Sequence, residues 1–374
     1  MMPKSVCIVM YGGPFDIVSH RLYQRLKILS SLVSQVYLII EGMPKLNDIP
    51  PNIIIYDISS PKRFFSYIKA IFTLAKVCKQ SDVVIFITGF PKIVTFVMQA
   101  RLAKKKVISF AGGTAYKVFK ARNPNSRIIS KIVYILESLC FWLSDLILVE
   151  NYESTRFLGL DKYISKIFPL GTLVYLNESF FKKYKKPSLR ENIVGYIGRI
   201  EPEKNVISII KSALHTIKKI RDIQFIIYGS GSQRDYLVNY VDTHSLEQYV
   251  KIMDWIPYEK VPEVLQNLKV LIHPSHTEGL PLTVLEAMSK GTIVITTPVG
   301  GLPEIIKDGS TGFIVRSGSP RDIANKLIDV LNLPPDELDR ISKNAYVLVK
   351  SKYSLKKGIS LWKKMLENLM GENA

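Results

Sequence analysis

The sequence predicts an α/β protein made of two doubly wound, Rossmann-like domains in succession. Three observations carry this. Short apolar runs alternate with longer amphipathic stretches, the pattern of βαβ units around a parallel sheet. The alternation breaks once, over residues 176–191, and then resumes. The 374 residues suffice for two domains of ordinary size, and a hydrophobic content of 47% for two packed cores.

In the first half, strands are expected over 6–10, 36–40, 53–56, 83–88, 107–110 and 146–150. Helices are expected over 19–32, 64–78, 93–103 and 128–143. The break at 176–191 is basic, contains Pro187 and has no clear period, so it reads as a linker. In the second half, strands are expected over 193–197, 224–228, 250–252, 270–273, 293–296 and 312–315. Helices are expected over 205–218, 234–243, 282–290, 320–331, 335–350 and 355–369. The domains are therefore drawn as 1–175 and 192–352, with the helix of 353–374 packing back on the first. Open α/β sheets bind ligands at the carboxyl ends of their strands, so two such domains facing each other would make a cleft lined by both.

Three scattered cysteines, Cys7, Cys78 and Cys140, argue for a reducing, cytoplasmic setting without disulfide or zinc. The apolar run after Met1 is too short for a signal peptide. The net charge of +19 is uneven: +13 over residues 1–175 and +6 over 176–374. No acidic residue lies between Asp82 and Glu137, a stretch with ten basic ones. This implies an anionic partner, such as a phosphorylated substrate or an acidic membrane surface, or else a solvated lysine-rich face. No nucleic-acid motif and no regular interleaving of aromatics accompany the charge, so a nucleic-acid partner is not expected. The run 132–149 is interrupted by Glu137, Ser138, Ser144 and Asp145, which excludes a membrane span.

The segment from His273 to Met288 carries the chemistry. Glu278 sits in a loop after the strand 270–273, and Glu286 lies about one turn inside the following helix. Pro281 is placed as the first helical residue, where its missing N–H costs nothing. The free N–H groups of Leu282 and Thr283 would face an anion beside Glu278, Gly279 and Leu280. Two carboxylates at this spacing are also compatible with a glycosidase pair. Gly12-Gly13, Gly112-Gly113, Gly198 and Gly229-Ser230-Gly231 all follow predicted strands, where glycine admits a phosphate or sugar close to the backbone or simply makes a tight turn. Arg199 and Lys204 could clamp a diphosphate, or could pair with Glu201 and Glu203 at the surface.

The run from Val194 to Asn205, with Gly198, Arg199 and Lys204, resembles the opening of the C-terminal domain of retaining glycosyltransferases of the family-four type, which share the GT-B fold. The stretch His273–Met288 is similar to that family's Glu-x7-Glu motif, and 296–306 and 308–315 match its usual continuation. The resemblance is dense over 193–316 and loose over the first 175 residues. It implies that Arg199 and Lys204 hold the diphosphate of a nucleotide sugar. Glu278 would bind the sugar hydroxyls, Leu282 and Thr283 amides the phosphates, and Glu286 the ribose. Gly229, Gly231 and the Trp255-Ile256-Pro257 turn would lie near the base.

The implied reaction moves a hexose-type sugar, with a UDP-sugar favoured, onto a glycan or lipid-linked acceptor with retention. The leaving diphosphate would take the acceptor's proton. No metal is implied, and no Asp-x-Asp occurs in the chain. Many relatives have a His after the strand that here ends Ser109-Phe110-Ala111-Gly112-Gly113-Thr114, and this chain has none there. His20, on the first helix, reads as structural or exposed, and His273 and His276 as loop structure, not a metal pair. A nucleotide-sugar epimerase of the same fold, a weak donor-binding subunit and a non-catalytic basic binding protein stand as alternatives. The acceptor is expected on the N-terminal domain, with its basic stretch touching an anionic bilayer.

Overall fold

A computed structural model describes residues 2–11, 19–42, 49–87, 93–111, 116, 119, 126–149, 155–156, 158–170 and 175–371, with the side chains of 19–21 excepted. The chain divides into two compact units, residues 1–175 with 356–374, and residues 176–355.

The first unit contains strands β1 (Ser5–Met10), β2 (Gln35–Ile40), β3 (Ile53–Asp57), β4 (Val83–Phe86), β5 (Lys106–Phe110), β6 (Leu146–Val149) and β7 (Ile167–Pro169). They form one sheet in the order β3-β2-β1-β4-β5-β6-β7, with each neighbouring pair parallel. β7 was not expected, because three residues before a proline-ended loop give no periodic signal. Cys7, Val9, Val84 and Phe86 pack against Ala70, Leu74, Phe96 and Val97 of the helices Arg63–Cys78 and Val94–Leu102. Residues 356–371, most of the helix Leu355–Gly371, belong to this unit, with Trp362 and Leu366 buried. Gly358 lies against the Tyr175 ring so closely that a Cβ would come within 2.4 Å of it.

The second unit contains β8 (Asn192–Ile197), β9 (Ile223–Tyr228), β10 (Val250–Met253), β11 (Val270–His273), β12 (Ile293–Thr296) and β13 (Phe313–Ile314). Their order is β10-β9-β8-β11-β12-β13, again parallel throughout. Alternate residues feed two cores. Val194, Phe225, Val270 and Ile272 pack with Ile209, Leu327 and Ile341. Leu271 and Val294 pack on the opposite face with Leu285, Met288 and Val349. A purely parallel sheet covered on both faces explains the unbroken apolar runs.

The segment 176–191 is not a free linker. Its composition is basic, but Phe180 and Phe181 are buried in the second core. The buried Arg190 guanidinium donates to the carbonyls of Leu265 (3.2 Å), Leu268 and Lys290 (both 2.5 Å). Charged residues conceal this packing in the sequence, because an arginine can satisfy buried carbonyls while its stem fills apolar space.

Candidate functional site

The site lies at the carboxyl ends of β8, β9 and β11, all within the second unit. β8 and β9 stay paired beyond their ends: the Gly198 amide donates to the Tyr228 carbonyl (3.0 Å) and the Ile200 amide to that of Ser230 (2.8 Å). This approach excludes side chains. A Cβ at Gly229 would lie 1.9 Å from the Gly198 carbonyl oxygen, and one at Gly231 2.4 Å from that of Ile200, with both glycines at positive φ. Their first role in the structure is therefore to let two loops touch. Ile256, expected near a nucleotide base, is partly buried against the second core.

The chain then makes a turn, Pro202–Lys204, and Asn205 adopts the left-handed conformation at φ 53°. Asparagine tolerates that region because its short side chain bonds locally. Here its amide donates to the Pro274 and Gly318 carbonyls (3.3 and 3.0 Å), while its carbonyl oxygen accepts from the Ser208 hydroxyl (2.7 Å). The His276 amide also donates to the Glu203 carbonyl (2.8 Å). These bonds fasten the turn bearing Lys204 to the loop after β11.

That loop is held from the other side. The Thr296 hydroxyl donates to the His273 carbonyl (2.8 Å) and the Thr297 hydroxyl to that of Ser275 (2.6 Å). The Gly301 amide donates to the Gly279 carbonyl (2.7 Å). Gly300 has φ +57°, and a Cβ there would be 2.2 Å from the Glu278 carbonyl oxygen. Glu278 and Gly279 are thus fixed by backbone contacts, and Leu280 packs against the second core.

Glu278 is the hub. Its Oε1 accepts from Lys204 Nζ at 2.5 Å and the Ser275 hydroxyl at 2.9 Å, and lies 2.8 Å from His273 Nε2. The Lys204 and Glu278 side chains are only 14% and 11% exposed, so this ion pair is shielded from solvent. Burial alone would raise the carboxyl. The hydrogen bonds and charges of His273 and Lys204 outweigh it and hold the group at about 2. His273 ends β11, is buried, and stacks on Tyr196, their ring planes 15° apart. The Tyr196 hydroxyl in turn donates to the Arg199 carbonyl at 2.7 Å.

Glu286 has the opposite environment. It lies in the helix Leu282–Ser289, is 3% exposed, and its Oε1 has no hydrogen-bond partner among the described residues. Burial pushes its carboxyl up to about 8, against the opposing influence of the Tyr258 hydroxyl. A buried carboxyl oxygen without a donor is costly unless something supplies one. The helix begins at Leu282, with Pro281 as the extended residue before it and not as the first helical position. No side chain caps this N-terminus, so the first-turn amides, Leu282 and Thr283 among them, are not engaged by a cap.

The structure brings together Glu278, Lys204, Gly279 and Leu280. It does not join Arg199 to them: that guanidinium pairs with Glu203 at 2.9 Å in an exposed contact. Gly12 and Gly13 lie outside the described residues. Sequence reasoning missed His273 as a partner of Glu278, assigning it to loop structure. It also passed over Ser275, Asn205 and Tyr258. A histidine closing an otherwise aliphatic strand was the available signal. His276 is exposed, and no cluster of three or more His, Cys, Asp or Glu able to hold a metal occurs among the described residues.

Two parallel α/β sheets, with a shielded carboxylate and an uncapped helix start at the strand ends of the second, define a GT-B architecture. Solved structures share it over nearly the whole chain. HepE of Anabaena in complex with UDP aligns with a TM-score of 0.76 at 14% identity, covering 98% of this chain and 100% of that one. Sucrose-phosphate synthase from Thermosynechococcus elongatus aligns at 0.73 and 17%, covering 99% and 100%. Residues 177–348 match the family described as Glycosyl transferases group 1. The alpha-D-kanosaminyltransferase of Streptomyces kanamyceticus is 31% identical over 197 residues, 49% of this chain and 50% of that protein. The poly(ribitol-phosphate) alpha-N-acetylglucosaminyltransferase of Staphylococcus aureus is 29% identical over 163 residues, 42% and 32% of the two chains. The matched stretch thus spans half or less of the length of these two relatives.

Proposed function

We propose that the protein is a retaining, metal-independent glycosyltransferase. It would move a hexose-type sugar from a UDP-sugar to a glycan or lipid-linked acceptor at the cytoplasmic face of a membrane. The observation that carries the reading is the opposed state of the two glutamates: Glu278 is ionised and bridged by Lys204 and His273, whereas Glu286 is buried with an oxygen lacking a donor. A vicinal diol supplies two donors, so ribose hydroxyls satisfy Glu286 and sugar hydroxyls reach Glu278. The first-turn amides of Leu282 and Thr283 lie between them in sequence and suit the phosphates. UDP as the nucleotude carrier is supported by its presence in the HepE complex.

In the reaction, the bond between the anomeric carbon and the diphosphate oxygen breaks and a bond to the acceptor oxygen forms on the same face. The acceptor's proton passes to the departing diphosphate. Lys204 and Arg199 stabilise the charge growing on that diphosphate. Arg199 first leaves its exposed pair with Glu203, a contact worth little in water. The chain's part is positioning and charge stabilisation. The test is calorimetry with UDP and a thermal-shift panel of nucleoside diphosphates and their sugars. Glu286→Ala and Lys204→Ala should weaken UDP binding, and Glu278→Ala should impair transfer more than UDP binding. Unchanged UDP affinity in the first two variants would overturn the assignment.

A further inference from the structure

The helix Arg127–Leu143 in the first unit is inverted relative to an ordinary surface helix. Its buried side includes Ser130 and Glu137 beside Val133, Cys140 and Phe141. Its solvent side is a row of large apolar residues at helical spacing: Ile128 (77% exposed), Ile132 (48%), Ile135 (60%) and Trp142 (64%). Residues at i, i+4, i+7 and i+14 share one face. The row runs roughly 21 Å, at about 1.5 Å per residue. The neighbouring helices continue the surface. Val94–Leu102 packs beside Arg127–Leu143 and exposes Met98 and Leu102, and Arg63–Cys78 packs beside Val94–Leu102 and exposes Phe64 and Phe72.

Cations border this face. Arg127 and Lys131 are exposed on the helix itself. Lys162, on the adjoining turn Asp161–Lys166, places its ammonium over the Tyr134 ring at 5.2 Å. Between Asp82 and Glu137 the sequence has no acidic residue, and Glu137 is buried. A flat apolar stripe with basic flanks fits one partner chemistry: the headgroup–acyl boundary of an anionic bilayer. An acidic protein surface would leave the isoleucines in water, and an apolar protein groove would gain nothing from the cations.

We propose that this helix lies in the membrane interface, with Ile128, Ile132, Ile135 and Trp142 inserted and Arg127, Lys131 and Lys162 at the phosphates. The proposal deepens the lipid-linked acceptor reading and rests on it only for its purpose, since the surface stands on its own residues. No helix among the described residues is long and apolar enough to cross a membrane.

The test is flotation of the full chain with phosphatidylglycerol–phosphatidylcholine vesicles and with phosphatidylcholine alone, with UDP calorimetry in parallel. The native chain should float with the anionic vesicles and much less with the neutral ones. Replacing Ile128, Ile132 and Ile135 by Ser should weaken partitioning by roughly tenfold per residue, with UDP binding unchanged. Lys131→Glu should weaken it on anionic vesicles only. In a Trp255→Phe, Trp362→Phe background, Trp142 emission should shift to the blue on anionic vesicles. Equal flotation of the triple variant and the native chain would overturn the proposal. So would a native dimer that the triple variant dissociates while neither form floats, which would make the face a contact between copies. Flotation without any UDP binding would leave the docking surface intact and remove the transferase reading.

Discussion

Glu286→Gln tests the central electrostatic conflict of the site. The carboxyl is 3% exposed and raised from its ordinary 4.5 to about 8. That gap, at about 1.4 kcal/mol per pH unit, sets an upper bound on the order of 5 kcal/mol for the cost of ionising it in place. Local relaxation reduces this to roughly 2–3 kcal/mol. The folded chain holds this proton more tightly than the unfolded one, so it binds more protons between pH 4.5 and about 8. Stability therefore falls as pH rises through that window. Glutamine has the same shape and no proton to lose. The variant should gain on the wild type steadily as the pH rises, reaching the full difference near pH 8.

Ligand binding should show the converse. On the proposed reading, ribose hydroxyls donating to Glu286 would favour its charged form, so UDP binding to the wild type should release a proton and tighten as pH rises toward about 8. The slope approaches at most about tenfold per pH unit. The glutamine variant should bind UDP roughly 10–100-fold more weakly, with that slope absent. Thermal unfolding across the pH window and calorimetry in two buffers of different ionisation enthalpy read both effects. Parallel stability curves for the two proteins, together with UDP binding that releases no proton, would refute the reasoning.

Glu278→Gln should act in the opposite pH range. The native carboxyl, held at about 2 against an ordinary 4.5, contributes stability that is complete above pH 4.5 and lost as pH falls toward 2. The variant should be about 1–3 kcal/mol less stable at neutral pH, with the gap closing in acid; denaturant titrations at several pH values check this. Gly229→Ala should cost more than about 2 kcal/mol, because its Cβ would meet the Gly198 carbonyl oxygen at 1.9 Å. Its thermal midpoint reads that loss. Arg199→Ala removes only an exposed pair from the free protein, so its midpoint should barely move while transfer slows. Asn205→Ala should lower both stability and UDP affinity, because it frees the Lys204 turn from the Pro274 and Gly318 carbonyls.

The fold was legible because period and punctuation coincide. The strands 270–273 and 293–296 and the helices 234–243 and 320–331 stand where apolar runs and turn residues put them. β7 and the packed segment 176–191 were not legible, since a three-residue strand has no period and a buried arginine reads as a surface charge. Within the site, the motif named Glu278, Glu286 and Lys204, and spacing placed the helix start within one residue.

The sequence by itself determined the two doubly wound sheets and the residue types at their strand ends, because these follow from local hydrophobic order. Only the tertiary structure decided what each group experiences. Two glutamates eight positions apart are chemically identical in the chain. One meets a lysine from a distant segment and a histidine at the end of the preceding strand and is ionised. The other is enclosed by its own helix and the apolar core and holds its proton. The outward turn of the isoleucines on Arg127–Leu143 was hidden for the same reason. Periodicity shows that a helix has an apolar face, and only packing shows which face the sheet receives.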